Sequence, residues 1–167
     1  FTESGYPAFV PTSDLKQWMQ EVLTPNQIQL LQERYGEAPG EYYSMEQNGV
    51  GGIGVTRVQF GNVVLLPQPV QGGGANDFKA VHGSNPVPPY AYVASYLWTQ
   101  KAFKADVMMH FGTHGSLEFI PGKQIALSSE DWTDRLVNDL PHIYYYTIAN
   151  IGEGMIAKRR SYAGTVS

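Results

Sequence analysis

Apolar residues in the first 45 positions recur at helical spacing. Thr12, Ser13 and Asp14 precede a periodic run over 15–22 and offer side chains to cap it, and Thr24-Pro25 opens a second run in which Ile28, Leu31 and Tyr35 make one stripe. Gly36 and the Pro39-Gly40 pair end that run. From Gly54 the period becomes two: Val55, Arg57 and Gln59 alternate with Thr56, Val58 and Phe60, Gly61-Asn62 supplies a turn, and an apolar stretch over 63–66 follows. That pattern predicts a β-hairpin. Residues 67–89 read as a long loop with a Gly72-Gly73-Gly74 tract and Pro86, Pro88 and Pro89, the last suited to opening a helix.

In the second half, Val93, Leu97 and Phe103 with Tyr90, Tyr96 and Trp98 predict a buried helix over 90–104, followed by a short apolar strand over 106–110. A helix over 130–140, capped near Ser128 or Ser129, is separated by Pro141 from a strand over 143–148, and a last helix spans 152–163. The fold class expected is α/β: a helical N-terminal segment, a β-hairpin, then a sheet with parallel βαβ crossovers, whose sites lie at the carboxyl ends of the strands. The division expected is a helical segment over 1–50 and an α/β lobe over 51–167. At 167 residues the chain suits one domain, or one lobe of something larger.

Composition narrows the function. Charged residues make up only 16% against roughly 25% in an average soluble domain. A surface covered by neighbouring domains would explain this, and a start at Phe1 without a leading Met fits a unit excised from a longer polypeptide. Net charge is −4, and the longest basic run is Lys158-Arg159-Arg160, which argues against a phosphate-tracking nucleic-acid surface. With no cysteine, disulfides, thiolate metal sites and thiol catalysis are excluded, so a metal must be held by His, Asp, Glu or water. No apolar run approaches the ~20 residues of a membrane span, and a cytoplasmic location is expected.

Two glycine motifs fail their context. Gly49, Gly51 and Gly54 match the dinucleotide spacing, but a polar loop is expected before them and a strand after them, where the fingerprint needs a strand and then a helix. Gly122-Lys123 is followed by Gln124 rather than Ser or Thr, and position 117 is Leu where a phosphate loop needs Gly. The informative segment is HFGTHGSLEF, which holds His110, His114 and Glu118 at four-residue spacing. Gly112 and Gly115 disfavour a helix there and point to a loop at a strand end. Spacing leaves two readings open: a site in one cleft, or local hydrogen bonding by the two imidazoles with Glu118 starting a helical turn.

The string HFGTHGSLEFIPGKQ, with DLPHIYYYTIANIGEGMIAKRRSYAG after it, resembles the large subunit of aerobic-type cobaltochelatases and the related H subunit of magnesium chelatase. The similarity runs from Phe60-Gly61-Asn62-Val63 to Ser167. Asp139-Leu140-Pro141-His142 and the segment 150–154 look more like the cobalt enzymes, whereas Tyr144-Tyr145-Tyr146 and the segment 156–160 resemble both branches and lean toward magnesium. His82 resembles a histidine of the cobalt branch, although Gly83 stands where an acidic residue is expected.

The resemblance implies insertion of a divalent metal into a tetrapyrrole: Co²⁺ into a corrin precursor, or alternatively Mg²⁺ into a porphyrin. ATP would be hydrolysed by separate ring-forming ATPase subunits, with the rest of the parent subunit as a further partner. In that reading Glu118 is the base or a transient metal ligand, His110 and His114 are ligands or proton relays, and His82, Lys158, Arg159 and Arg160 are candidates for tetrapyrrole binding. Two other classes compete: a non-catalytic tetrapyrrole- or metal-binding module, and a metal-dependent hydrolase using His110 and His114.

Overall fold

A computed structural model describes residues 7–68, 87–112, 115–120, 122–123, 126–146 and 151–166. Strand β1 (Ala8–Pro11) leads directly into helix α1 (Thr12–Val22), and α2 (Pro25–Tyr35) follows. Thr24 and Gln27 close a reciprocal cap at the start of α2: the Gln27 amide donates to Thr24 Oγ1 at 3.2 Å and the Thr24 amide donates to Gln27 Oε1 at 2.9 Å.

Strands β2 (Ser44–Gln47) and β3 (Val50–Val55) form an antiparallel sheet with β1, in the order β1-β3-β2. The two-residue period in the sequence starts only at Gly54, yet Gly51, Gly52 and Gly54 all lie on the central strand of this sheet. The absence of a side chain at Gly52 lets the Phe9 ring and the Val10 carbonyl pack against the strand. The expected hairpin follows as β4 (Val58–Phe60) and β5 (Val63–Leu65), with Gly61 at φ 57° in the turn.

Helix α3 (Tyr90–Lys101) starts after Pro89 and is buried around nearly its whole circumference, as a helix apolar on all sides must be. It ends three residues before the predicted boundary; Lys104 takes φ 56° and the Phe103 ring folds back to stack on Trp98 at 5.6 Å. Around α3 gather Val10, Leu15, Leu31, Ile53, Leu117 and Leu136, so one core joins the first sheet, α1, α2 and the second half.

The second half is the parallel unit. Strand β6 (Met108–Gly112) is followed by a 3₁₀ turn (Leu117–Phe119) and α4 (Trp132–Val137), then β7 (His142–Tyr146), α5 (Ile151–Arg160) and β8 (Gly164–Val166). The sheet order is β6-β7-β8, all parallel. The last helix ends at Arg160, three residues short of the expected 163, and β8 lies beyond it, where the sequence reading placed no strand. The outer face of the sheet carries Met109, Phe111, Tyr145 and Val166 in solvent, with Phe111 77% exposed and its ring stacked on Tyr145 at 5.2 Å. Parallel sheets are ordinarily covered on both faces.

Candidate functional site

The register of β6 against β7 pairs Met108 with His142, His110 with Tyr144 and Gly112 with Tyr146. Paired positions share a face, so His110, His142 and Tyr144 all point to the inner side while Phe111 and Tyr145 point outward. The His110 and His142 rings stand edge to face, 4.6 Å between centroids. From α3, the Tyr96 hydroxyl lies 3.3 Å from His110 Nε2. It continues through Tyr92 at 3.4 Å to the Ser116 hydroxyl at a further 2.9 Å, making a buried chain of hydroxyls.

His142 Nδ1 sits 2.8 Å from the Ser161 carbonyl, which can only accept, so Nδ1 carries the hydrogen and Nε2 presents its lone pair. Burial, reinforced by His142 nearby, depresses the His110 pKa to about 3. Burial also lowers that of His142, opposed by the Ser161 carbonyl. Both imidazoles are therefore neutral at physiological pH.

Glu118 lies on the 3₁₀ turn beyond the carboxyl end of β6 and is fully buried. The turn is anchored from α4 by the Thr133 hydroxyl, which donates to the Leu117 carbonyl at 2.9 Å. Tyr144 donates its hydroxyl to Glu118 Oε1 at 3.0 Å, while Oε2 has no hydrogen-bond partner among the described residues. Burial raises the Glu118 pKa, and Glu153 adds to it; the residue's backbone amide, the Tyr144 hydroxyl and Arg160 act the other way. Gly115 lies against this carboxylate so closely that a β-carbon there would collide with Oε1.

The structure thus brings His110 and Glu118 to the same buried side of the sheet, linked through Tyr144. His114 and His82 lie outside the described residues. The basic run divides: Lys158 and Arg159 are exposed, whereas Arg160 is buried and donates to the Ile120 carbonyl. His142 and Tyr144, which were not among the candidate site residues read from the sequence, flank the site. The period-two spacing of 142 and 144 puts them on one face, but only the register with β6 shows that this is the face of His110. Among the described residues no three His, Asp or Glu side chains converge as a complete metal cage.

A carboxylate with a raised pKa and one oxygen unpartnered among the described residues, on the same side of the sheet as two neutral imidazoles, has the chemistry to take up a proton or ligate a divalent ion. The family model described as CobN/Magnesium Chelatase matches residues 2–167, and the chain belongs to that family.

The chain is 41% identical over 138 residues, 83% of its length, to the chloroplastic magnesium-chelatase subunit ChlH of rice, of which it covers 10%. It is 39% identical over 113 residues, 68% of its length, to the aerobic cobaltochelatase subunit CobN of Pseudomonas aeruginosa, covering 9% of it. Among solved structures, the catalytic subunit of cobaltochelatase from Mycobacterium tuberculosis superposes with a TM-score of 0.83 at 31% identity, over 96% of this chain and 14% of that one. The chain therefore spans about a tenth of the length of the curated relatives it matches. Its mixed α/β architecture, with the parallel sheet in the second half, is that of the cobaltochelatase subunit.

Proposed function

We propose that this chain is the proton- and metal-handling lobe of the large tetrapyrrole-binding subunit of an ATP-dependent chelatase, inserting Co²⁺ into a corrin precursor in cobalamin biosynthesis. The observation that carries the reading is Glu118: fully buried, raised in pKa, and holding one carboxylate oxygen without a hydrogen-bond partner among the described residues, on the side of the sheet occupied by His110. Insertion exchanges two pyrrole N–H protons for one divalent cation. A carboxylate whose pKa is raised toward working pH is a better proton acceptor than an ordinary surface glutamate. His110, neutral at pH 7, offers imidazole to the ion as it sheds water, and His114 is assigned the same duty. Neutral nitrogen and single-carboxylate ligands hold the ion weakly enough to release it.

Lys158 and Arg159, exposed on α5, are assigned to the carboxylates at the macrocycle rim, together with His82. The guanidinium of Arg160 is instead committed to the Ile120 carbonyl. No phosphate loop is encoded in the chain's glycines, so ATP hydrolysis is assigned to ring-forming partner subunits. The bare outer face at Phe111 and Tyr145 is assigned to cover by the rest of the parent subunit, and the enzyme is assigned to the cytoplasm; no helix among the described residues is long and apolar enough to cross a membrane.

A magnesium-inserting reading is favoured by the 41% identity to rice ChlH. Reconstituting the full-length subunit with its ATPase partners and following the absorption change on insertion tests both. Turnover with Co²⁺ and a corrin precursor is expected. Turnover only with Mg²⁺ and a porphyrin would overturn the cobalt assignment, and turnover with neither would remove the chelatase reading.

A further inference from the structure

Among the described residues, two buried ring nitrogens in this site have no hydrogen-bond partner, Nδ1 of His110 and Nε2 of His142. Buried polar atoms in native proteins are almost always paired, and an exception calls for a reason. The two orphaned atoms belong to rings that touch, 4.6 Å apart at 77°. In each ring the other nitrogen already has a partner: Tyr96 for His110 Nε2 and the Ser161 carbonyl for His142 Nδ1. An imidazole that gives one N–H to a backbone carbonyl and keeps the opposite lone pair bare has the outer-shell arrangement of a metal-ligating histidine.

His142 is 5% exposed, so bulk water does not satisfy that lone pair. His110 is half-buried and reaches the same arrangement when its Nε2–H is donated to the Tyr96 oxygen. The Tyr96 hydroxyl then turns its own hydrogen to Tyr92 at 3.4 Å and still accepts from the Gln68 amide at 3.4 Å.

We propose that His110 Nδ1 and His142 Nε2 form a two-imidazole docking point for the incoming divalent cation, and that this pair selects a borderline ion such as Co²⁺ over Mg²⁺. The inference rests on the chelatase reading above and deepens it by naming a residue and a selectivity. Neutral imidazoles suit Co²⁺, Ni²⁺ and Zn²⁺, whereas Mg²⁺ demands oxygen ligands and gives up water reluctantly. Two ligands hold an ion in transit, with the remaining positions left to water or a third group. Glu118 is placed to receive it, because Tyr144, which bonds the carboxylate, is the register partner of His110 and lies two residues from His142 on the same strand face.

The test is Co²⁺ titration of the full-length polypeptide, by d–d absorption and calorimetry, in the wild type, His142→Asn and His110→Asn. Each substitution is expected to weaken Co²⁺ binding by about tenfold or more, the scale seen when metal-site architecture is disturbed. Mg²⁺ in large excess is expected to leave the Co²⁺ isotherm unchanged. Equal affinity in wild type and a folded His142→Asn variant, or displacement of Co²⁺ by Mg²⁺, overturns the proposal.

Because a buried substitution can unfold the lobe, cobalt-edge X-ray absorption of the wild type provides a second arm. Outer-shell scattering from two imidazoles supports the pair, and an all-oxygen shell overturns it. The two readings fail separately. Imidazole-bound Co²⁺ without insertion into any tetrapyrrole by the reconstituted complex sinks the chelatase reading, whereas insertion with an all-oxygen cobalt shell sinks the docking pair alone.

Discussion

Replacing Gly115 by Ala probes how tightly the Glu118 carboxylate is held. An alanine β-carbon built on this backbone lies 2.6 Å from Glu118 Cδ and from Oε2, and closer still to Oε1. The end of a long side chain would normally swing aside at small cost. Here Glu118 is fully buried and its Oε1 accepts from Tyr144 at 3.0 Å, so any swing breaks that bond inside the core. Loss of the bond costs about 1 kcal/mol, and overpacking a filled site about 1–3 kcal/mol, giving about 2–4 kcal/mol in total.

Gly115 has no left-handed backbone angle, so the whole effect is steric and should vanish with its target. In a Glu118→Ala background the same Gly115→Ala change should cost less than about 0.5 kcal/mol, leaving a coupling of about 1.5 kcal/mol or more between the two sites. Urea denaturation of the four proteins, with the slope checked for constancy, measures this cycle. An equal cost in both backgrounds, or none in the wild type, would show that the carboxylate is not packed where the structure places it.

Two further outcomes follow from the same geometry. Glu118 has a folded-state pKa above its ordinary value of 4.5, so its contribution to stability is fully present below that value and is lost as pH rises through the folded pKa. The stability of the wild type relative to Glu118→Gln should therefore fall as pH is raised from 4.5 toward 8, and a difference that is flat or rises with pH contradicts the assignment. In the first sheet, Gly52→Ala would drive a β-carbon into the Val10 carbonyl and to within 2.7 Å of the Phe9 ring, costing about 3 kcal/mol. Gly51→Ala, with nothing within 4 Å, should stay within about 0.5 kcal/mol in the same thermal or urea melt.

The features legible in the sequence were those whose chemistry is local. The Thr24-Pro25 cap, the Gly61 turn and the proline before α3 each act within a few residues, and the structure has α2, the hairpin and α3 where they indicate. The alternation of strand and helix in the second half signalled parallel crossovers for the same reason. Strand β3 was hidden because Gly51, Gly52 and Gly54 carry no side chains, so no period of two can be seen. The information there is space for the neighbouring strand, which only the fold reveals. Strand β8 is three residues long with a glycine first, too short to show a period.

At the site, Glu118 stood out through the motif that contains it. His142 and Tyr144 did not, because their meaning comes from the pairing of β7 with β6, a contact across more than 30 positions of the chain. Burial has a further consequence that residue type does not carry: it keeps His110 neutral down to a pKa of about 3, when an exposed histidine would titrate near 6.5.

The central claim is that Glu118 accepts pyrrole protons or passes the ion to the ring, and the most direct measurement is insertion by the full-length subunit carrying Glu118→Gln, assembled with its ATPase partners. The amide keeps the size of the side chain and an oxygen to accept from Tyr144 while removing the charge. With folding and tetrapyrrole binding verified on the same preparation, insertion should fall by ~10² or more, the usual scale for loss of a positioned general base, while ATP hydrolysis continues without product. An insertion rate per folded molecule within about twofold of the wild type would contradict the account and move the chemistry away from this carboxylate.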